Sequence, residues 1–191
     1  ARMLTLGYAA PEQLESQTIT TATDAYVLGI LLYELLAGQH PFKLEKKGLI
    51  EIEEVIRTVT PQRPSLRFEE LPIEQQDDIS SNRSTIPAAL QKMLTGDLDA
   101  IVLKALRKEQ NQRYSSVEQL LEDLARRKSD LPVLARNDTF RYNTSKFLKR
   151  NSTGLAVAAG FLAILASFIT FYTVQISEER NRAELEAQRA E

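Results

Sequence analysis

The sequence predicts an all-α protein in which a helical soluble part is followed by one helix long enough to cross a membrane. Apolar residues recur at helical spacing in the soluble part, and no alternating strand pattern of useful length appears. No charged residue occurs from Asn151 to Ser177, although the flanking segments are rich in charge. The overall composition, 43% hydrophobic and 26% charged, hides this division.

The apolar segment 154–174 has the length of a membrane-spanning helix, which needs about 20 residues to cross a ~30 Å hydrocarbon core. A buried core helix is the alternative interpretation, but helices of this length in soluble cores usually carry a polar stripe. Only Arg180 and Arg182 follow the segment closely, whereas five basic residues precede it: Arg136, Arg141, Lys146, Lys149 and Arg150. The positive-inside tendency therefore places the N-terminal part in the cytoplasm.

The segments on either side of the span differ in composition. Residues 131–153 form a basic juxtamembrane linker with aromatic residues, which either rests on anionic lipid headgroups or stays solvated. Residues 175–191 favour a charged helix outside the cytoplasm. Within the span, Ala156 and Gly160 share a four-residue spacing that is typical of helix pairs. Dimerisation through the transmembrane or C-terminal helix is therefore a hypothesis.

In the soluble part, Pro11 favours a short helical turn over residues 11–14. Polar residues at 20–24 offer capping oxygens for a helix over 25–37, which is apolar on nearly every face. Because this helix is too short to span a membrane, we expect it to be the buried centre of the domain. Gly38 fits the position after its C-terminus, and Pro41 prevents its continuation.

Three further elements follow the central helix. Apolar spacing predicts an amphipathic helix over 52–59. The polar, proline-containing stretch 61–87 predicts a loop or an insert. Asp97 is expected to cap a helix whose inner face is Leu98, Ile101, Val102, Ala105 and Leu106. A capping box at 115–118 precedes a helix with an apolar stripe formed by Val117, Leu120, Leu121 and Leu124.

Composition and charge exclude several functions. The net charge of −2 argues against general nucleic-acid binding, which needs a basic surface. The absence of cysteine excludes disulfides and thiolate metal sites, and no metal site is predicted. The sequence starts at Ala1 inside a patterned segment, so we expect a truncated chain.

Four motifs resemble, in order, the C-terminal lobe of protein kinases. TLGYAAPE at 5–12 resembles the end of the activation segment. TDAYVLG at 23–29 resembles the start of the buried F helix, and LYELLAGQHPF at 32–42 resembles its end. ALRKEQNQRY at 105–114 resembles a late motif with a key arginine. The resemblance is strongest to bacterial serine/threonine kinases with a single transmembrane helix.

The resemblance implies a role for each charged motif residue. Glu12 should form a buried ion pair with Arg113 and so connect the activation segment to the last helices. Asp24 should hold the backbone of the catalytic loop by charge-assisted hydrogen bonds. Two alternatives remain open, in which Asp24 is only a helix N-cap and the other two residues are ordinary surface charges.

The uncharged motif residues have implied roles as well. Thr5 and Tyr8 lie in the P+1 loop, where a kinase positions its protein substrate. Pro11 belongs to the same A-P-E motif as the ion-pairing glutamate, and Gly29 belongs to the F-helix motif.

The resemblance implies a membrane-anchored serine/threonine protein kinase, a signalling transferase that uses ATP and Mg²⁺ in the intact parent. The glycine-rich loop and the H-R-D and D-F-G motifs are not in this sequence, and its only histidine, His40, lies in a turn. We therefore expect no catalytic residue and no bound cofactor in this chain, and no activity on its own.

Two hypotheses for the chain's function remain. In the first it is the C-terminal fragment of a kinase in the bacterial plasma or inner membrane, with the kinase-like part cytoplasmic. In the second it is a non-catalytic, membrane-anchored interaction module. The predicted domains are a partial kinase domain at 1–130, the linker at 131–153, the transmembrane helix at 154–174 and an extracytoplasmic charged helix at 175–191.

Overall fold

The computed structural model describes the backbone of residues 6–190, with side chains from residue 6 through Ser177 and at Arg180, and all of its regular secondary structure is helical. No strand occurs within this range, so the all-α fold class is confirmed. The chain divides into two compact units between Asn143 and Thr144.

The first unit contains the short and medium-length helices of the chain. Their bounds are α1 (Pro11–Leu14), α2 (Thr21–Ala37), α3 (Leu49–Thr58), α4 (Pro64–Glu69), α5 (Ile73–Ser81), α6 (Pro87–Leu94), α7 (Asp97–Ala105) and α8 (Val117–Lys128). A 3₁₀ turn at Gln110–Gln112 precedes α8, and α9 (Phe140–Arg150) begins in this unit.

Helix α2 is the centre of the first unit, as the sequence predicts. It begins at Thr21, four residues before the predicted start at 25, because Thr20 is the N-cap residue and its N–H donates to Thr23 Oγ1 at 3.2 Å. It ends at Ala37 and is followed by the C-cap residue Gly38, whose φ of 73° is left-handed and suits glycine. Asp24 lies inside the first turn, so the N-cap interpretation of this residue is wrong.

Helices α2 and α7 pack at unusually close range. A Cβ placed on Gly29 would lie 2.8 Å from the Ala105 Cβ and 3.2 Å from Leu106 Cδ2. Glycine is therefore required for the approach of the two helices. The buried core around this contact includes Tyr26 and Tyr33.

The predicted loop over 61–87 is wrong, because this stretch contains α4 and α5, and α6 begins at its last residue. Pro64 occupies the first turn of α4, where its missing N–H costs nothing. Phe68 is fully buried and packs with the apolar residues Leu71, Leu90, Leu94 and Leu98. Tertiary packing thus stabilises helices in a segment whose composition suggests a loop.

The amphipathic helix predicted over 52–59 is present as α3, whereas two of the predicted caps differ. Gly96, not Asp97, is the N-cap residue of α7, and its N–H donates to the Asp99 carboxylate at 3.3 Å. At α8 the N-cap residue is Ser116, one position after the predicted one. Leu121 is predicted to lie on the apolar stripe of α8, but it is 57% exposed and does not belong to the buried face.

The segment after α8 packs back onto the first unit, although the sequence assigns residues from 131 onward to a linker. Val133 is buried in a core cluster with residues of α2, α7 and α8. The fully buried Asp123 carboxylate accepts hydrogen bonds from Tyr114 Oη at 2.7 Å, Leu134 N at 2.5 Å and Ala135 N at 2.8 Å. The first unit consequently continues to Asn143.

The second unit contains the long helix α10 (Ser152–Ala190). The most apolar 18-residue stretch within its part Ser152–Ser177 has a mean hydropathy of 2.2, and none of that stretch is buried within the protein. By length and composition this helix can cross a membrane. It includes the predicted span 154–174 and continues without a break into the predicted charged helix.

Replacing Gly29 by alanine should destabilise the first unit. Overpacking against α7 costs about 1–3 kcal/mol, and the better helix propensity of alanine returns at most about 1 kcal/mol. We expect a net loss of about 1 kcal/mol in the free energy of unfolding. Urea unfolding of the full chain in detergent micelles, followed by tyrosine near-ultraviolet circular dichroism, measures this loss.

The matched control is Gly154→Ala, because an added Cβ there meets no atom within 4 Å. It should leave the unfolding midpoint in place. An unchanged midpoint for Gly29→Ala as well would contradict the close packing of α2 on α7.

Candidate functional site

A buried ion pair joins the start of α1 to the segment between α7 and α8. Arg113 Nη1 donates to Glu12 Oε1 at 2.8 Å, and Arg113 Nη2 donates to Glu12 Oε2 at 2.9 Å. The side chains are 0% and 2% exposed, respectively. This parallel two-bond geometry is the strongest form of a carboxylate–guanidinium contact. The ion pair expected from the sequence is therefore present, and the surface-charge alternative is wrong.

The remaining polar atoms of the pair are also bonded. Thr23 Oγ1 donates to the Glu12 carboxylate at 2.7 Å. The guanidinium of Arg113 donates to the carbonyl oxygens of Arg107 at 2.5 Å and Lys108 at 2.6 Å. Burial removes the carboxylate and the guanidinium from water, so their remaining hydrogen-bonding atoms need partners within the protein. These three hydrogen bonds supply such partners.

The surroundings of Glu12 lower the pKa of its carboxyl group. Burial acts to raise this pKa, but hydrogen bonds from Arg113, from Thr23 and from the backbone outweigh burial and leave it below the ordinary value of 4.5. The charged form is thus favoured in the folded protein. Tyr26 lies beneath the arginine, with the guanidinium carbon 4.6 Å from its ring centroid.

The loop before α1 is fixed to the end of α2 by two contacts. The Tyr8 hydroxyl donates to the Glu34 carboxylate at 2.9 Å, and this hydrogen bond raises the pKa of Tyr8. His40 Nε2 donates to the carbonyl oxygen of Gly7 at 3.1 Å, and Nδ1 accepts from the Phe42 N–H at 3.1 Å. Glu34 and His40 are not predicted as site residues, although both lie in the motif at 32–42.

Asp24 lies at the start of an exposed stripe on α2. Its carboxylate has no hydrogen bond or ion pair within the described part of the chain. Leu28, Leu31 and Leu35 continue the stripe at helical spacing, and Leu35 is 69% exposed. An apolar stripe on the central helix of a soluble domain indicates a surface that another segment covers.

The other predicted site residues divide between described and undescribed parts of the chain. Pro11 and Gly29 are buried near the ion pair and at the α2–α7 contact, respectively. Thr5 lies outside the described residues. Among the residues that are described, no group of three or more histidine, aspartate or glutamate side chains is placed to hold a metal ion.

Comparison with protein families matches residues 1–124 to the protein kinase domain. The chain belongs to the protein kinase family. The Glu12–Arg113 pair joins the A-P-E motif at 5–12 to the late motif at 105–114. The correspondence of α2 to the F helix and the place of Tyr8 in a P+1 loop stay predictions. The role of Asp24 toward a catalytic loop stays a prediction.

The kinase part resembles several bacterial proteins. It is 30% identical over 122 residues to the serine/threonine-protein kinase PknB of Mycobacterium tuberculosis, covering 64% of this chain and 16% of that protein. It is also 30% identical to PknB of Mycobacterium leprae, over 67% of this chain and 17% of the relative. The probable serine/threonine-protein kinase PknB of Lactococcus lactis is also 30% identical, over 62% of this chain and 15% of that protein. The chain thus spans about a sixth of these relatives.

Replacing Glu12 by glutamine should destabilise the first unit strongly, because Arg113 then keeps a buried charge without its partner. We expect the free energy of unfolding to fall by about 3–5 kcal/mol. The control is Arg57→Gln, which removes an exposed ion pair with Glu15 and should cost at most about 1 kcal/mol. Urea unfolding of both variants provides the comparison, and equal losses would contradict a special role for the buried pair.

The pH dependence of stability follows from the lowered pKa of Glu12. A lowered pKa in the folded state gives stability that is fully present above the unfolded value, near 4.5, and is lost as the pH falls through the folded value. In the same unfolding assay, the wild-type protein should therefore lose more stability on acidification below that pH than Glu12→Gln does.

Proposed function

We propose that the chain is the C-terminal part of a membrane-anchored serine/threonine protein kinase, which phosphorylates protein substrates in its intact form. The observation that carries the proposal is the fixed Gly7–Tyr8 segment, held by Glu34 and His40 and followed directly by the buried Glu12–Arg113 pair. A rigid loop in this position is suited to align a substrate segment. The relatives named above as serine/threonine kinases support the choice of acceptor residues.

The exposed stripe on α2 supports the existence of a preceding kinase half. We infer that a catalytic loop from that half covers Leu28 and Leu31, and that its backbone N–H groups donate to Asp24. ATP and Mg²⁺ would be held by that half, which supplies the glycine-rich loop and the metal-binding residues. The residues of this chain would position the substrate and support the catalytic loop.

The membrane arrangement is inferred from the charge distribution. The basic residues of 136–150 precede the apolar part of α10, which favours a cytoplasmic kinase part and a single pass through a bacterial plasma membrane. In this arrangement the kinase domain extends to about residue 130, and the segment up to Asn143 packs onto it. The charged C-terminal residues would then lie outside the cytoplasm.

The kinase function is tested on the protein encoded when the reading frame is extended upstream. We expect H-R-D and D-F-G motifs there, and transfer of labelled phosphate from ATP to a protein acceptor. Asp24→Asn should reduce kcat about tenfold to a hundredfold, the equivalent of one charge-assisted hydrogen bond. Lys92→Gln, an exposed change on α6, serves as the control. A true start codon and ribosome-binding site near Ala1, with no upstream motifs, would favour the interaction module instead.

The orientation is tested with single cysteines, because the chain has none of its own. We expect a membrane-impermeant maleimide to label Asn181→Cys in intact spheroplasts and to label Asn137→Cys only after lysis. Labelling of Asn137→Cys in intact cells would contradict a cytoplasmic kinase part. Labelling of neither position, before or after lysis, would show that the reagent has failed, so a lysed sample accompanies each measurement.

A further inference from the structure

A cationic cleft of about 470 Å³ opens along the exposed face of α7 in the first unit. None of the residues that line the cleft belongs to the Gly7–Tyr8 segment or to the Glu12–Arg113 pair. Four of its ten lining residues are basic, namely Arg63, Lys104, Arg107 and Arg136. Its volume lies within the range of about 300–1,000 Å³ that is common for small-ligand sites.

The positive charge of the cleft is largely uncompensated. The one lining carboxylate, Asp99, is 4% exposed and accepts hydrogen bonds from Ser65 N at 3.0 Å and Ser65 Oγ at 2.6 Å. Within the described residues, Arg63, Lys104 and Arg107 have no carboxylate at ion-pair distance. Three neighbouring cations without counter-charges favour the binding of an anion.

The cationic side chains are held in place mainly by neutral groups. Lys104 Nζ donates to the carbonyl oxygen of Leu134 at 3.3 Å, and Arg107 Nη1 donates to Gln112 Oε1 at 2.6 Å. These acceptors restrict the long side chains and leave their charge unpaired. A ligand that binds here therefore loses less free energy to the ordering of flexible side chains.

Arg136 closes one side of the cleft and is fixed by different contacts. Its Nη1 lies 3.1 Å from Asp97 Oδ1, and its guanidinium carbon lies 4.3 Å from the ring centroid of Tyr142. The Tyr142 hydroxyl accepts from the Val133 N–H at 3.0 Å and donates to Asp97 Oδ1 at 3.0 Å. The segment that packs back after α8 thus completes the cleft.

We propose that this cleft binds the phosphate group of a phosphoserine or phosphothreonine in a protein segment. Such a phosphate carries a charge of about −1.5 to −2 and three strong acceptor oxygens, which match a group of arginine and lysine donors. A concave site for one group suits a phosphorylated side chain better than a continuous nucleic-acid backbone. The choice of a phosphopeptide rests on the proposed function, because a serine/threonine kinase produces these residues.

Binding is measured with the full chain in phosphatidylcholine nanodiscs. The probe is a fluorescein-labelled Gly-Ala-phosphothreonine-Ala-Gly peptide, compared with the same peptide carrying unmodified threonine. We expect saturable binding of the phosphorylated peptide only, and weaker binding as the salt concentration rises. The double variant Lys104→Gln/Arg107→Gln should weaken it at least tenfold. Arg63→Gln, an exposed change, should weaken it several-fold while the protein stays folded.

The control variant Lys43→Gln/Lys92→Gln removes two exposed charges outside the cleft and should leave the affinity unchanged. Absence of saturable binding, or an equal loss in both double variants, would overturn the proposal. So would binding of inositol 1,4-bisphosphate, a soluble lipid-headgroup probe, in place of the peptide. Because the assay contains no ATP, its result is independent of whether the parent protein transfers phosphate.

Discussion

The buried Glu12–Arg113 ion pair is the interaction on which the rest of the kinase part depends. Burial of either charge without the other is strongly unfavourable. The folded structure must therefore bring α1, the first turn of α2 and the segment after α7 into contact. The pair thereby fixes the loop before α1, whose other contacts run to Glu34 and His40. The position of the Gly7–Tyr8 segment thus follows from the requirement that two buried charges remain paired.

Much of the fold can be predicted from local pattern. The capping residues and the closing Gly38 delimit α2, and helical spacing predicts α3, α7 and α8. The stretch 61–87 is different, because polar residues and prolines suggest a loop while Phe68 forms helix contacts with leucines distant in sequence. Packing of this kind depends on the tertiary structure, so spacing within one segment does not indicate it.

The candidate site can be predicted only in part. The motif resemblance indicates Glu12 and Arg113 because their positions in two motifs are specific, and their pairing follows. Contacts that join separate segments, such as His40 with the Gly7 carbonyl, have no local signal. The cationic cleft has none either, since its basic residues come from three distant parts of the chain. Its character depends on neutral anchors that only the folded structure shows.

The central claim is that Glu12 and Arg113 stabilise the fold as a pair. A double-mutant cycle with Glu12→Gln, Arg113→Gln and the double variant measures their coupling directly in urea unfolding of the full chain. Since each single change leaves a buried polar group without its partner, we predict a coupling energy of about 3 kcal/mol. Additive effects, with a coupling energy below about 0.5 kcal/mol, would contradict the account.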